Sequence, residues 1–250
     1  MDNAKSPSLS IILPCYNEEK NIRRNIEHIH NYLKARFSDF EIIAVNDGSS
    51  DATLAELQKS REESRIPLRI INGRTNRGKG AAVRDGVLRS KKEIIMFLDA
   101  DLAIPIEELS KFLGVLETGY DFVIASRFVG GLKILKPVLW YRSIMEKIFR
   151  ILRMIIINNY DIQDTQCGFK VFKRQTAFKI FPQLTVRGWS FDVEIIFLAK
   201  KAGLKIKELP ITLQNPPESH IRIVKDSVKM FFDLIKIKIN DWRGKYNFQR

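Results

Sequence analysis

The feature that most constrains the fold is a regular alternation of short apolar runs with helical patterns over the first half of the chain. Runs of strand length are predicted to form β-strands at Leu9–Leu13, Phe40–Val45, Leu68–Ile71, Glu93–Leu98 and Asp121–Ala125. Helical patterns between them are predicted to begin at Asn17, at Ser50 or Asp51, at Gly80 and at Pro105. This βαβα order predicts an α/β fold with a doubly wound, mostly parallel sheet.

A polar cluster follows each of the five predicted strands. The clusters are Cys15–Glu18, Asn46–Ser50, Asn76–Gly80, Asp99–Asp101 and Ser126–Arg127. Ligands of doubly wound sheets bind outside the carboxyl ends of the strands. We therefore expect these clusters to converge on one crevice.

Asp99 and Asp101 are the strongest candidates for a chemical role. They are separated by one residue and come directly after the predicted strand that ends at Leu98. Carboxylates at such a strand end can bind a hard cation, and Mg²⁺ or Mn²⁺ commonly shares its ligands with substrate phosphates. The alternative is a pair of loop acids, one of which caps the helix after Pro105. The position after a buried strand favours the metal site.

Two further clusters carry weaker signals. Asp47, in NDGSSD, could accept hydrogen bonds from a base or a ribose, although the same residues also suit a simple turn. In Asn76–Gly80 the backbone N–H groups and Lys79 could meet a diphosphate at the start of a helix. This glycine-rich segment has neither the Walker A nor the GxGxxG spacing.

Charge and hydropathy indicate what the chain would meet. The net charge is +13, with basic stretches between Gly130 and Arg153 and from Arg222 to Arg250. Such a balance favours anionic partners, or it is simply a solvated surface. Ile221–Ile239 mixes apolar residues with lysines, which is typical of a helix on an anionic membrane or of one packed against its domain. No signal peptide or membrane-spanning run is apparent, and two isolated cysteines favour a reducing compartment.

Several motifs together resemble family 2 glycosyltransferases of the GT-A fold. They are PCYNEEKNI (Pro14–Ile22), NDGSSDAT (Asn46–Thr53), NRGKGAAVRDG (Asn76–Gly86) and FLDADL (Phe97–Leu102). ASRF (Ala125–Phe128), DTQCGFKVFKR (Asp164–Arg174) and WSFDVE (Trp189–Glu194) narrow the resemblance to synthases of dolichyl-phosphate or polyprenyl-phosphate sugars, of the glucose or mannose type.

The resemblance implies roles for individual residues. The donor site would comprise Pro14, Tyr16, Asn17, Glu18, Asp47, Gly48, Arg77, Gly78, Lys79, Asp99, Ala100 and Asp101. Asp99 and Asp101 would hold the metal. Arg127, Arg142 and Arg222 would face the acceptor phosphate, and Asp192 completes the catalytic set as a positioning residue. Ala103 stands where related synthases often have a glutamine, so we expect water in place of a third side-chain ligand.

The implied reaction is an inverting transfer of a hexose to polyprenyl or dolichyl phosphate. The donor would be a nucleotide diphosphate-sugar, UDP-glucose or GDP-mannose, and the cofactor Mg²⁺ or Mn²⁺. We expect the enzyme to work on the cytoplasmic side of a membrane, bound peripherally to its anionic surface or through a membrane-protein partner, and to bind no nucleic acid.

Three segments are predicted: a tail at 1–7, a GT-A catalytic domain at 8–215 and a basic amphipathic membrane-interface segment at 216–250. Two other functions stay open. One is transfer to a hydroxyl group of a glycan, lipid or protein, with Asp192 as general base. The other is binding without catalysis, of a nucleotide-sugar or of nucleic acid, although no groove-reading helix or stacking platform is evident.

Overall fold

The structure is a computed structural model that describes residues 7–130, 140–158, 160–211 and 223–248, with only the backbone at 140–146 and 223–225. The strands are β1 (Leu9–Cys15), β2 (Phe40–Asp47), β3 (Leu68–Gly73), β4 (Ile94–Leu98), β5 (Phe122–Ser126), β6 (Phe169–Lys173) and β7 (Ile206–Pro210). The helices are α1 (Ile22–Lys34), α2 (Thr53–Glu62), α3 (Lys79–Val87), α4 (Leu109–Glu117), α5 (Trp140–Ile157), α6 (Arg174–Ile180), α7 (Phe191–Lys201) and α8 (Ile223–Trp242). Short 3₁₀ helices lie at Ile106–Glu108 and Phe181–Gln183.

The seven strands of the described residues form one sheet in the order β3-β2-β1-β4-β6-β5-β7. Strands β1 to β4 are parallel, whereas β6 runs antiparallel between β4 and β5. The predicted α/β architecture and the five predicted strands are confirmed. β6 and β7 were not predicted, and β6 makes the sheet mixed, as a single reversed strand does in many large sheets.

Helices cover both faces of the sheet. Successive strand residues point to opposite faces, so Ile11 packs in one core and Ile12 in the other. The first core includes residues of α1 and α4, and the second includes residues of α3, α7 and α8. The described helices therefore cover both faces of the sheet, which leaves the ends of its strands as the expected place for a ligand.

The first helix begins five residues later than the sequence indicated. Asn17 has a positive φ of 57°, which a right-handed helix does not allow. Its side-chain oxygen instead accepts a hydrogen bond from the Ser50 N–H at 2.9 Å, and the helix starts at Ile22. The prediction that α1 begins at Asn17 is wrong because this residue is used to join two loops.

Helices α5 and α8 contact each other. Leu234 and Ile237 of α8 are buried in the second core, so α8 packs against the rest of the fold along one face. Its other face leaves Val228 and Phe232 exposed. Within the residues that the structure describes, no helix has both the length and the apolar character that crossing a membrane requires.

Candidate active site

The loops after β1 and β2 are joined at the carboxyl edge of the sheet. Besides the Asn17–Ser50 contact, the Asn17 N–H donates to Ser49 Oγ at 3.0 Å, and the Glu18 N–H donates to Thr53 Oγ1 at 2.7 Å. Tyr16, beside these contacts in the chain, is 42% exposed. The predicted donor residues Tyr16, Asn17 and Glu18 therefore stand in a loop that is held by hydrogen bonds and leaves the tyrosine partly exposed.

Asp47 holds the glycine-rich loop that precedes α3. Its carboxylate is buried and accepts hydrogen bonds from the N–H groups of Arg77, at 3.0 Å, and Gly78, at 2.7 Å. Gly78 has a φ of 100°, and a Cβ there would lie 2.5 Å from the Arg187 carbonyl oxygen. Contact of Asp47 with a base or ribose stays a prediction. In the structure, Asp47 fixes the backbone of the glycine-rich loop.

A second glycine brings these two loops together. Gly48 has a φ of 68°, and a Cβ at this position would lie 2.4 Å from the Thr75 carbonyl carbon. A side chain is excluded there by contact with backbone and by the backbone conformation itself. The NDGSSD motif therefore serves as a turn and as a close packing site.

The glycine-rich loop places Lys79 against the first aspartate. Lys79 Nζ lies 2.5 Å from Asp99 Oδ1 and 5.5 Å from the centre of the Trp189 ring. Burial lowers the pKa of the Lys79 ammonium, but the carboxylates of Asp99, Asp192 and Asp101 outweigh this effect, and the pKa is raised. Lys79 is therefore charged at neutral pH.

The turn after β4 presents both aspartates. The Asp99 N–H donates to the Gly168 carbonyl at 3.0 Å, and a Cβ on Gly168 would lie 2.0 Å from Asp99 Oδ2. Asp101 Oδ1 accepts the Ala103 N–H at 3.0 Å. The Ala100 carbonyl accepts from Asn25 Nδ2 at 2.8 Å. These hydrogen bonds hold the turn, while the Asp99 side chain stays 38% exposed.

This donor set fits a hard divalent cation that shares its ligands with a substrate. Two carboxylates lie beside the glycine-rich loop, and oxygen is the ligand that Mg²⁺ and Mn²⁺ prefer. In the described part of the chain, no group of three or more His, Cys, Asp or Glu residues could hold a metal by itself. Asp99 and Asp101 would therefore need water and phosphate oxygens to complete the coordination.

A buried ion pair lies behind the aspartates. Lys170 and Asp192 are almost fully buried, and Lys170 Nζ donates to Asp192 Oδ1 at 2.5 Å and to the Cys167 carbonyl at 2.6 Å. Burial raises the pKa of the Asp192 carboxyl, and Lys170 and Lys79 offset part of that rise. The Asp192 carboxylate is already paired with the Lys170 ammonium. This arrangement suits a positioning residue better than a base that removes a proton from a substrate.

Arg127 is held at the end of β5 by a bidentate pair. Its Nε and Nη2 donate to Asp164 at 2.7 and 3.1 Å, and the Asp164 N–H donates to Glu208 at 2.7 Å. Burial raises the pKa of Asp164, but Arg127 more than compensates, and the pKa is lowered. The guanidinium groups of Arg127 and Arg150 both lie over the Phe128 ring, at 5.5 and 5.4 Å.

The structure does not place every predicted acceptor residue. Arg142 lies on α5 where only the backbone is described, and Arg222 lies outside the described residues. Conversely, Gly168, Lys170 and Asp164 were not predicted as site residues. All three belong to the DTQCGFK motif, which the sequence analysis identified. It did not predict the contacts that these residues make with distant parts of the chain.

The comparisons with known proteins fit this site. The family model "Glycosyl transferase family 2" matches residues 10–181. The chain belongs to glycosyl transferase family 2. The chain is 36% identical over 242 residues to dolichyl-phosphate beta-glucosyltransferase ALG5A of Trichomonas vaginalis, covering 92% of this chain and 73% of that protein. It is 33% identical over 256 residues to dolichyl-phosphate beta-glucosyltransferase of Saccharomyces cerevisiae, covering 95% and 76%.

Solved structures agree on the fold. Glucosyl-3-phosphoglycerate synthase of Mycobacterium tuberculosis in complex with UDP aligns with a TM-score of 0.66 at 17% identity, over 94% of this chain and 80% of that one. Mannosyl-3-phosphoglycerate synthase of Rubrobacter xylanophilus also gives 0.66 at 17% identity, over 98% and 77%. The predicted GT-A fold is confirmed for this family 2 glycosyltransferase.

Proposed function

We propose that this family 2 glycosyltransferase moves glucose from UDP-glucose to dolichyl phosphate or a similar polyprenyl phosphate. The observation that carries the transferase chemistry is the contact of Lys79 with Asp99, within electrostatic reach of Asp101, at the carboxyl edge of the sheet. Similarity over most of the chain to two dolichyl-phosphate beta-glucosyltransferases supports glucose and a lipid phosphate. Glucose replaces the broader choice of glucose or mannose that the motifs left open.

The donor side is proposed to depend on Mg²⁺ or Mn²⁺ held by Asp99 and Asp101. A structure of the M. tuberculosis synthase that contains Mn²⁺, UDP and phosphoglyceric acid supports a divalent metal in this fold. Such a metal supplies Lewis-acid stabilisation of the leaving diphosphate. Lys79 would add a second positive charge on the same diphosphate, and the braced loops of Tyr16 and Asp47 would orient the nucleotide.

The acceptor side needs an ionised phosphate and a residue to position it. A phosphate monoester already carries most of its second charge at neutral pH, so its oxygen can attack the sugar without a strong general base. Arg127 is 35% exposed while Asp164 holds its Nε and Nη2, so the guanidinium is fixed and still accessible to an anion. Asp192, paired with Lys170, would support the site rather than remove a proton.

Transfer to an acceptor tests this function. Purified protein is given UDP-glucose, or GDP-mannose for comparison, with Mn²⁺ and either a short polyprenyl phosphate or the matching polyprenol. We expect glucose transfer to the phosphate only, and loss of transfer in EDTA. Transfer to the polyprenol, abolished by Asp192→Asn, would favour the hydroxyl-acceptor alternative. Nucleotide binding without transfer to either acceptor would leave a binding protein and refute the proposal.

The lipid acceptor calls for a membrane-facing surface, and helices α5 and α8 offer one. Ile148, Ile151 and Ile155 are spaced along one exposed stripe of α5, and Ile155 is 65% exposed. Val228 and Phe232 are exposed on α8.

Exposed lysines lie on the same helices, α5 and α8, at Lys147, Lys229 and Lys236. Apolar side chains flanked by cations are the pattern of an interfacial helix, so we propose peripheral docking to an anionic membrane through both helices. The sequence predicted a membrane-interface segment at 216–250, and α5 lies in the other basic stretch of the chain.

Ile155→Glu is expected to weaken binding to phosphatidylserine-containing vesicles by about tenfold or more, because an apolar contact is replaced by a charge that the lipids repel. Vesicle co-sedimentation measures the effect. Gln58→Glu, which adds the same charge at an exposed position of α2, is the matched control and is expected to bind like the wild type. Equal binding of both variants would contradict docking through α5.

A further inference from the structure

Lys79 forms an ion pair with Asp99, the first aspartate of the candidate metal site. A positive charge of the protein itself therefore lies beside this carboxylate. Its Nζ is 2.5 Å from Asp99 Oδ1, and its side chain is only 12% exposed. Lys79 is the first residue of α3, directly after Gly78, whose N–H is bound by Asp47. The Trp189 ring lies over the ammonium group. Backbone and ring thus hold the ammonium at Asp99.

The charges in this part of the site are close to balance. The carboxylates that act most strongly on Lys79 are Asp99, Asp192 and Asp101. Asp192 is already paired with Lys170. Lys79 therefore faces two further carboxylates, so this part of the site carries about one net negative charge. A divalent cation would reverse that charge and stand beside the ammonium, whereas a nucleotide diphosphate brings the negative charges that both cations need.

We propose that Lys79 is the internal counter-cation of Asp99 in the donor-free protein and passes to the diphosphate when the donor binds. Metal and nucleotide then bind together, each weakly without the other. The inference rests on the proposed nucleotide-sugar transferase function and adds to it a positioning role for Lys79 in the coupling between the two ligands. Because such coupling is reciprocal, the metal strengthens nucleotide binding by the same factor as the nucleotide strengthens metal binding.

Removal of the ammonium should free Asp99 for the metal and weaken the coupling. Lys79→Met keeps the length of the side chain without its charge, and Lys79→Arg keeps the charge. Lys111→Met removes an exposed lysine of α4 that pairs only with Glu108 among the contacts described, and serves as the matched control. Free Mn²⁺ is measured by electron paramagnetic resonance during titrations with and without UDP, after circular dichroism has established that each variant is folded.

We expect Lys79→Met to bind Mn²⁺ without UDP about tenfold more tightly than the wild type, and UDP to strengthen Mn²⁺ binding about tenfold less in this variant. Lys79→Arg and Lys111→Met should follow the wild type. UDP binding in EDTA gives a second readout, and it should weaken in Lys79→Met because the ammonium no longer meets the diphosphate. Should the methionine variant fail to fold, Lys79→Gln takes its place in both titrations.

Mn²⁺ binding that is no tighter in Lys79→Met, or UDP coupling that is undiminished in it, would overturn the inference. These outcomes are independent of the acceptor. Coupling that depends on Lys79 without transfer to polyprenyl phosphate would refute the proposed function and leave this inference standing. Normal transfer to polyprenyl phosphate, together with metal–nucleotide coupling that is unchanged in Lys79→Met, would support the proposed function and refute this inference.

Discussion

Asp101→Asn is expected to lower kcat/KM for sugar transfer roughly 100- to 1,000-fold, with little change in stability. Asparagine keeps the oxygen that accepts the Ala103 N–H, so the turn after β4 is preserved. What it loses is the negative charge that would hold the metal beside the leaving diphosphate. The comparison therefore separates the electrostatic contribution of Asp101 from its contribution to the turn.

The measurement is steady-state glucose transfer with saturating Mn²⁺, together with urea unfolding of each variant. Asp39→Asn is the matched control, because Asp39 lies just before β2 at the opposite edge of the sheet and its exposed carboxylate pairs with Lys92. This control should retain full activity. Activity of Asp101→Asn within a few-fold of the wild type would show that Asp101 does not hold a metal that the reaction needs.

The crevice could be predicted from the sequence because a local rule determines it. A buried strand followed by a polar cluster, repeated along the chain, places the ends of parallel strands at one edge. Asp47 reaches the glycine-rich loop, and Lys79 reaches Asp99, as that rule implies. Local patterning was sufficient where each partner directly follows a strand of the parallel half.

The remainder of the site depends on pairs that are distant in sequence. Arg127, just after β5, pairs with Asp164, which precedes the reversed strand β6. Lys170 of β6 pairs with Asp192 of α7. A lysine inside the five-residue strand FKVFK has the appearance of a solvent-facing residue of an edge strand. It is fully buried because β6 lies between β4 and β5, which no local pattern reveals.

One loop joins the proposed membrane face to the donor site. Glu194 is buried and accepts hydrogen bonds from the Thr185 and Val186 N–H groups and from the Tyr246 hydroxyl. Asn240 of α8 donates to Thr185 Oγ1 at 2.9 Å. The same segment continues to Arg187, whose carbonyl accepts the Ala81 N–H of α3 at 3.2 Å. The inner face of α8 thus braces the loop that packs on the start of α3, while Val228 and Phe232 on its outer face stay exposed.

Lys170→Met is expected to lower the free energy of unfolding by about 3–5 kcal/mol at neutral pH, because it leaves the Asp192 carboxylate buried without its partner. Lys170 is fully buried and Asp192 nearly so, and the ammonium bonds both Asp192 and the Cys167 carbonyl. Urea unfolding followed by circular dichroism measures the loss. Lys59→Met, which removes an exposed lysine paired with Glu56, should change stability by less than about 0.5 kcal/mol.

The sign of the pH dependence gives an independent check. Burial already raises the pKa of Asp192 above its ordinary value of 3.8, and loss of Lys170 removes a charge that opposes the rise. The folded variant then holds a proton on Asp192 at pH values where the unfolded chain has released it. The stability of Lys170→Met should therefore rise as the pH falls through the raised pKa toward 3.8 and decline as the pH rises through it. This decline should continue to higher pH than in the wild type, in which the Lys170 charge opposes the rise in the Asp192 pKa.

A double variant, Lys170→Met with Asp192→Asn, separates the lost charge pair from the lost packing. Since no buried charge is left alone, the double variant should recover part of the stability and show no extra dependence on pH. Equal destabilisation of the single and double variants, with no dependence on pH, would mean that Lys170 contributes through packing and the Cys167 carbonyl alone. Asp192 would then be free of Lys170's charge, and its candidacy as a general base for a hydroxyl acceptor would be restored.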